Sequence, residues 1–237
     1  MLTKKQAHEI HGGMTQTTKM PAKSYSLPTI ACVTGFRMSA IAGSICSMCY
    51  AARGNYHRYQ ATIEPVQHAR LESINDPLWI DAIVTSIGKD KYFRWHDSGD
   101  IQSVEHLEKI AEVCKLTPDC KHWLPTREYG MVAAFCASND VPDNLVIRLS
   151  AMFIDKPVKI PASLQGVKGI TASNVHSMSN EDIRLITILN KNKRDSSPFS
   201  YKGLPVGEVC KAPSQGGKCA DCRACWNSKK VVSYHVH

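Results

Sequence analysis

Two groups of cysteines carry the chemistry that can be read from this chain. Cys46 and Cys49 stand in "SICSMCYAARGNY" as a CxxC, a spacing at which a tight loop aims two thiolates at one metal centre. Cys32 lies upstream and is the natural third ligand. Near the other end, "VCKAPSQGGKCADCRACW" places Cys210, Cys219, Cys222 and Cys225 close together, and Gly216 with Gly217 lets the chain fold back so that the four close one site. Of the remaining cysteines, Cys114 falls on the apolar face of a helical pattern, and Cys120 and Cys136 have no partner at ligand spacing. All three read as packing residues.

The two groups differ in what they can do. Three cysteines with no fourth nearby would leave one iron of a [4Fe-4S] cluster open to bind something else. Zinc held by the same three and a histidine such as His57 is the competing arrangement, and a thioredoxin-like redox CxxC is a third. In the tail, four thiolates make a closed centre suited to structure or electron transfer. Its CxxCxxC run wraps the corners of a [4Fe-4S] cluster more naturally than a zinc tetrahedron, with zinc as the alternative metal. Trp226, next to the last ligand, is expected to shield that centre.

With 237 residues, 43% of them hydrophobic, the chain can bury one substantial core. No apolar run approaches the roughly 18 residues of a membrane helix, and "MLTKKQAHEIHGG" lacks the apolar region of a signal peptide. A cytoplasmic protein is expected, with its thiols reduced and available as ligands. The formal charge of +8, from 29 basic and 21 acidic residues, suits an anionic partner such as nucleic acid or a phosphorylated cofactor. A basic solvated surface explains it equally well.

The elements that must position these cysteines follow a rhythm. Residues 1–28 read as an irregular lead-in, 29–200 as a βα-barrel-like domain and 201–237 as a cysteine-rich metal-cluster segment. "LPTIACV" (27–33), "KYFRW", "KHWLP", "NLVIRLSAM" and "GITASNV" are strand candidates. Between them lie helical patterns at 64–74, at 77–88 with Asp76 as cap and Pro77 at its first position, at 103–116 capped by Ser103, and at 129–138. Alternation of this kind predicts an α/β fold of parallel strands, a partial or open βα barrel first and a doubly wound sheet second. In either, functional residues gather at the C-terminal strand ends. The polar residues there are Asp97, Ser98, Gly99 and Asp100, then Arg127 and Glu128, with Arg148 on the fourth strand.

Cys32, "CSMCYA", Gly54, Tyr56, "RWHDSGD" and "LPTRE" together resemble the gene product 88-like proteins of phages, across most of the chain. The three-cysteine group after an early strand, the Gly-containing acidic loop and the repeating βα units are more distantly similar to the radical SAM iron-sulfur proteins. Thirteen residues separate Cys32 from Cys46, where that superfamily has CxxxCxxC. The second resemblance implies S-adenosylmethionine (SAM) as cofactor and reductive SAM cleavage on an unknown substrate. Its methionine amine would lie against Ser98 to Asp100, with Asp97 or Asp100 supplying the negative charge and Arg148 pairing with the carboxylate. Arg127 and Glu128 would line the same cavity. The alternative is a non-enzymatic protein, stapled by iron-sulfur or zinc, that binds nucleic acid or a host factor in the cytoplasm of an infected bacterium.

Overall fold

The computed structural model describes residues 2–179, 181–182, 199–201 and 204–236. The chain opens with helix α1 (Lys4–His11). Its N-terminus is closed by a reciprocal box, the Thr3 hydroxyl accepting from the Gln6 N–H and the Gln6 side chain accepting from the Thr3 N–H, and it stops at Gly12 with φ +71°. The irregular lead-in expected over 1–28 therefore contains a capped helix, followed by β1 (Thr15–Gln16) and β2 (Lys23–Tyr25). The strand expected at 27–33 is displaced onto β2. Pro28 has no N–H for a ladder, and the Leu27 N–H donates to the Ser98 carbonyl at 2.8 Å. The chain then turns through Thr29–Ala31 into α2 (Val33–Ser39).

Next come α3 (Gly54–Arg58), α4 (Gln60–Ser73), α5 (Trp79–Ile87), β3 (Tyr92–Trp95), α6 (Val104–Leu116), β4 (Lys121–Thr126), α7 (Tyr129–Cys136), β5 (Leu145–Ser150) and β6 (Ile170–His176). The short strands β7 (Phe199–Tyr201), β8 (Leu204–Val206), β9 (Glu208–Val209) and β10 (Val232–His235) follow. Helix α5 begins at Trp79 rather than Pro77, because the Asp76 carboxylate accepts the Leu78 N–H (2.7 Å) in a turn ahead of the helix. Helix α6 is capped as expected, the Ser103 hydroxyl accepting from the His106 N–H.

The main sheet has eight strands in the order β1-β2-β3-β4-β5-β6-β10-β9. Strand β1 pairs antiparallel with β2, and the other neighbours pair parallel. Strands β2 to β6 are laid side by side in chain order, so right-handed crossovers carry their helices to one face. This is the open βα-barrel arrangement; a doubly wound sheet would reverse direction and have helices on both faces. Residues 183–198 of the expected 29–200 domain lie outside the described residues.

Register separates the two faces. Phe93 pairs with His122, and Leu124 with Ile147; with Trp95 and Leu149 these residues face Trp79, Ile83, Leu107, Ile110 and Phe135 of the helices in the larger core. Arg94 pairs with Trp123, and Arg148 with Thr171, on the opposite face. There Trp123 packs with Met20, Ala22 and Trp226 in a second core, against which Cys219, Cys225 and Tyr234 lie. The C-terminal segment thus supplies β9 and β10 to the sheet and covers the face that the helices leave bare. With both faces covered, β5 is buried along nearly its whole length. No helix among the described residues is long and apolar enough to cross a membrane.

Candidate metal centres

Cys32, Cys46 and Cys49 come together beyond the C-terminal ends of the strands. Cys32 ends the turn after β2 and precedes α2, whose first turn is held by Glu128: Oε1 accepts the Thr34 N–H (2.7 Å) and Oε2 the Thr34 hydroxyl (2.6 Å). The loop carrying the CxxC is pinned to the end of β5, with the Ile45 N–H donating to the Met152 carbonyl (3.0 Å). Within it the Cys49 N–H donates to the Cys46 carbonyl (3.2 Å), closing the tight turn that the spacing calls for. Gly35 makes the space. A Cβ there would meet the Cys32 sulfur at 3.6 Å and the Cys46 sulfur at 3.7 Å, so both thiols face one spot above this glycine.

Burial pushes the Cys32 thiol well above its ordinary range, helped by the charges of Asp100, Cys49, Cys46 and Glu128. Burial also raises Cys46, with Arg127 acting in the other direction. Asp100 is pushed up to about 6 by burial. Three thiols and two carboxylates around one guanidinium are comfortable either protonated or balanced by a metal, which deprotonates its thiol ligands.

Both carboxylates are engaged by the chain. The Asp100 oxygens accept the N–H groups of Ile101 (2.8 Å) and Arg127 (2.9 Å), and both Glu128 oxygens hold Thr34. His57, the competing fourth ligand, is exposed on α3 and lines a cavity of about 190 Å³ with Thr29, Ile30, Ala51 and Ala52.

The tail cysteines form the second group. Cys210 follows β9 and its N–H donates to the Ser233 carbonyl; the Cys219 N–H donates to Lys19 and the Cys222 N–H to Cys219. Gly216 and Gly217, at φ +62° and +79°, turn the segment back in the left-handed conformation that favours glycine. Burial raises Cys219, on which Cys210 and Cys222 also act, and pushes Cys225 up to about 11. Cys210 thus acts on both Cys219 and Cys225, and Cys222 on Cys219. All ten cysteines are free thiols. Among the described residues, no three His, Cys, Asp or Glu side chains close into an ion-sized ligand shell. Trp226 packs edge-on against Tyr92 and Trp123 and donates to the Phe93 carbonyl (2.8 Å), so it is a packing residue of the second core.

Two expectations for the mouth are corrected. Arg148, fully buried, does not present its Nη donors to a mouth ligand: Nη1 and Nη2 reach the carbonyls of Ala172, Lys230, Ala224, Cys225 and Asn227 at 2.7–3.2 Å, clamping the tail to β5 and β6. Ser98 and Gly99 are engaged with the backbone beside them. The Ser98 hydroxyl donates to the Leu27 carbonyl, and a Cβ on Gly99 (φ +79°) would stand 2.5 Å from Leu27 Cβ. Asp97 keeps an orphan: Oδ2 accepts the Tyr56 hydroxyl at 2.5 Å, while buried Oδ1 has no hydrogen-bond partner among the described residues. Beside it His96 is buried in a left-handed backbone conformation (φ 53°), a strain that a packed surround must hold in place.

Residues that composition and spacing did not single out complete the picture. Gly35 carries no local signal, since its role depends on where Cys46 returns. Arg94 does carry one, a lone charge inside the aromatic strand "YFRW", but its partners come from distant segments. Comparison with curated proteins and with solved structures finds no match. The gene product 88 model, in contrast, matches residues 1–228, and the chain belongs to the gene product 88 family.

Proposed function

We propose that this is a phage iron-sulfur redox protein with two centres: an open one on Cys32, Cys46 and Cys49 at the mouth, and a closed one on Cys210, Cys219, Cys222 and Cys225 in the tail. The observation that carries the reading is the gathering of three thiols at the C-terminal strand ends beside carboxylates whose oxygens are already engaged. When bound, a reduced cluster supplies single electrons to a ligand on its open position. The chain's part is to hold that ligand. Arg127 brings positive charge to the thiols, and the orphan oxygen of Asp97 is an acceptor for an amine.

SAM is the ligand that the radical SAM resemblance suggests. Of the groups assigned to it, Asp97, Asp100, Arg127 and Glu128 remain near the mouth while Arg148 serves the tail. The test is anaerobic reconstitution with iron and sulfide, analysis for both elements, and incubation of the dithionite-reduced protein with SAM. Two clusters per chain and release of 5'-deoxyadenosine are expected. Zinc in place of iron, or full clusters that leave SAM intact, would overturn the corresponding half of the reading.

A metal-stapled binding protein is the second reading, favoured by the apolar rim of the mouth. Ile30, Val33, Phe36, Ile41 and Met48 are all exposed around the first cysteine group. A rim of that kind suits a protein partner such as a host factor.

A further inference from the structure

Helix α4 turns one stripe, Gln60, Ile63, Glu64 and Gln67, toward a hollow beside the mouth. Positions i, i+3, i+4 and i+7 lie one above the other on a helix, so the four share their neighbours. Opposite them stand the turn at 28–30, which leads into Cys32, and Ala51, Ala52, Tyr56 and His57, which follow Cys49. The cavity between has a volume of about 190 Å³. Sites for drug-sized ligands begin at roughly 300 Å³, so this one suits a smaller molecule.

Its walls are of two kinds. Pro28, Ile30, Ala51 and Ile63 line it with hydrocarbon, and its polar groups are chiefly acceptors. Gln67 is 5% exposed; its Nε2 donates to the Ser98 hydroxyl at 3.2 Å, while its Oε1 has no partner among the described residues. An amide oxygen on so buried a side chain is costly to leave without a donor. The Tyr56 hydroxyl gives its proton to Asp97 Oδ2, which leaves the phenol its lone pairs and the face of its ring. On the rim, Glu64 accepts from Gln60 Nε2 at 2.8 Å, and its other oxygen lies 3.7 Å from His68. Among the described residues no lysine or arginine lines the cavity, although the chain carries a net charge of +8. An anion would meet a carboxylate and unpaired acceptors there.

We propose that this cavity binds a small alkylammonium ion, a short aliphatic monoamine or diamine. The ammonium donates to Gln67 Oε1 and lies against the Tyr56 ring, in the field of the buried Asp97 carboxylate. The hydrocarbon chain packs on Ile30 and Ile63, and the second ammonium of a diamine pairs with Glu64. A ligand so placed touches both segments that carry the mouth cysteines. The inference needs no metal and stands apart from the two-centre reading.

The experiment is titration calorimetry at neutral pH on the full chain as purified. n-Butylammonium and putrescine are the probes, with 1-butanol and butyrate as neutral and anionic controls of the same chain length. Both amines should bind with dissociation constants of about 1 mM or below, and both controls at least about tenfold more weakly. Gln67→Leu keeps the size of the side chain and removes the acceptor; it should weaken both amines about tenfold, the worth of a hydrogen bond to a charged group. Glu64→Gln, on the exposed rim, should weaken putrescine about threefold and n-butylammonium less, so that the test stands even if Gln67→Leu fails to fold. No heat from either amine up to about 10 mM would overturn the proposal. So would controls that bind as tightly as the amines, or amine affinities unmoved in the variants that fold.

Discussion

Replacing Arg148 tests whether one buried side chain holds the tail on the sheet. Its guanidinium donates to five backbone carbonyls, four of them between Ala224 and Lys230, so Arg148→Met removes those donors while keeping the stem's packing. Each of the five lost hydrogen bonds costs about 1 kcal/mol, the carbonyls of Ala224, Asn227 and Lys230 keeping a second donor in the Asn227 N–H, the Lys230 N–H and the Thr171 hydroxyl. Against this, the variant no longer desolvates a charge, which offsets a few kcal/mol. The expected net destabilisation is about 3 kcal/mol, read as a fall in the urea midpoint at unchanged slope. Arg148→Lys should recover part of it, because an ammonium has three donors and cannot fan across five carbonyls. Faster reaction of the tail thiols with a disulfide reagent should accompany the loss, with the mouth thiols unaffected. Unfolding within about 0.5 kcal/mol of wild type, a change that ordinary surface substitutions produce, would refute the clamp.

Acid should unfold the chain by way of its buried histidines. Burial lowers His106 and His122 to about 3 and His11 and His176 to about 4. The unfolded chain therefore takes up these protons first, and their stabilising contribution, complete above pH 6.5, is lost as pH falls toward 4, at about 1.4 kcal/mol per pH unit for each histidine. Melting temperatures that stay flat between pH 7 and 4.5 would contradict this. Gly35→Ala places a Cβ 2.9 Å from the Cys32 Cβ and against both sulfurs. It should cost the mouth its iron while the tail keeps its own, seen as about half the wild-type iron per chain; full iron content would rule out a crowded site.

How far the sequence could be read depended on whether a feature is local. Helix α6 was legible because Ser103 and the positions Val104, Leu107, Ile110, Ala111 and Cys114 sit within one short stretch. The parallel order of β3 to β6 followed from the same local alternation, as did the gathering of Asp100, Arg127 and Glu128 at one end. Helix α1 had its signal in Thr3, Gln6 and Gly12 but was hidden by a polar composition. Strand β2 is three residues long and mixed, while the more apolar 27–33 drew the strand assignment that Pro28 prevents. Arg148 was visible as a lone charge in "LVIRLS". Whether it served mouth or tail depended on where residues 224–230 return, more than 70 positions away.

The two cysteine groups should also differ in what they do for the fold. The mouth loops are fastened without metal, by Glu128 on Thr34, by Ile45 on Met152 and by Ser44, whose hydroxyl donates to the Met38 carbonyl. Between β9 and β10 the tail has short turns and few buried apolar residues, Ala212, Ala224 and Trp226 among them. A segment that small cannot build a core, so on the proposed two-centre reading metal binding there would become folding free energy. Removing metal with a chelator should therefore expose residues 211–230 to limited proteolysis at the basic positions Lys211, Lys218 and Arg223, while Arg37 on α2 and Arg53 after the CxxC are cut at the same rate with and without metal. Cutting that accelerates equally at both places would mean that the mouth, too, is shaped by its metal, and cutting unchanged at both would mean that Arg148 and Trp226 suffice to hold the tail.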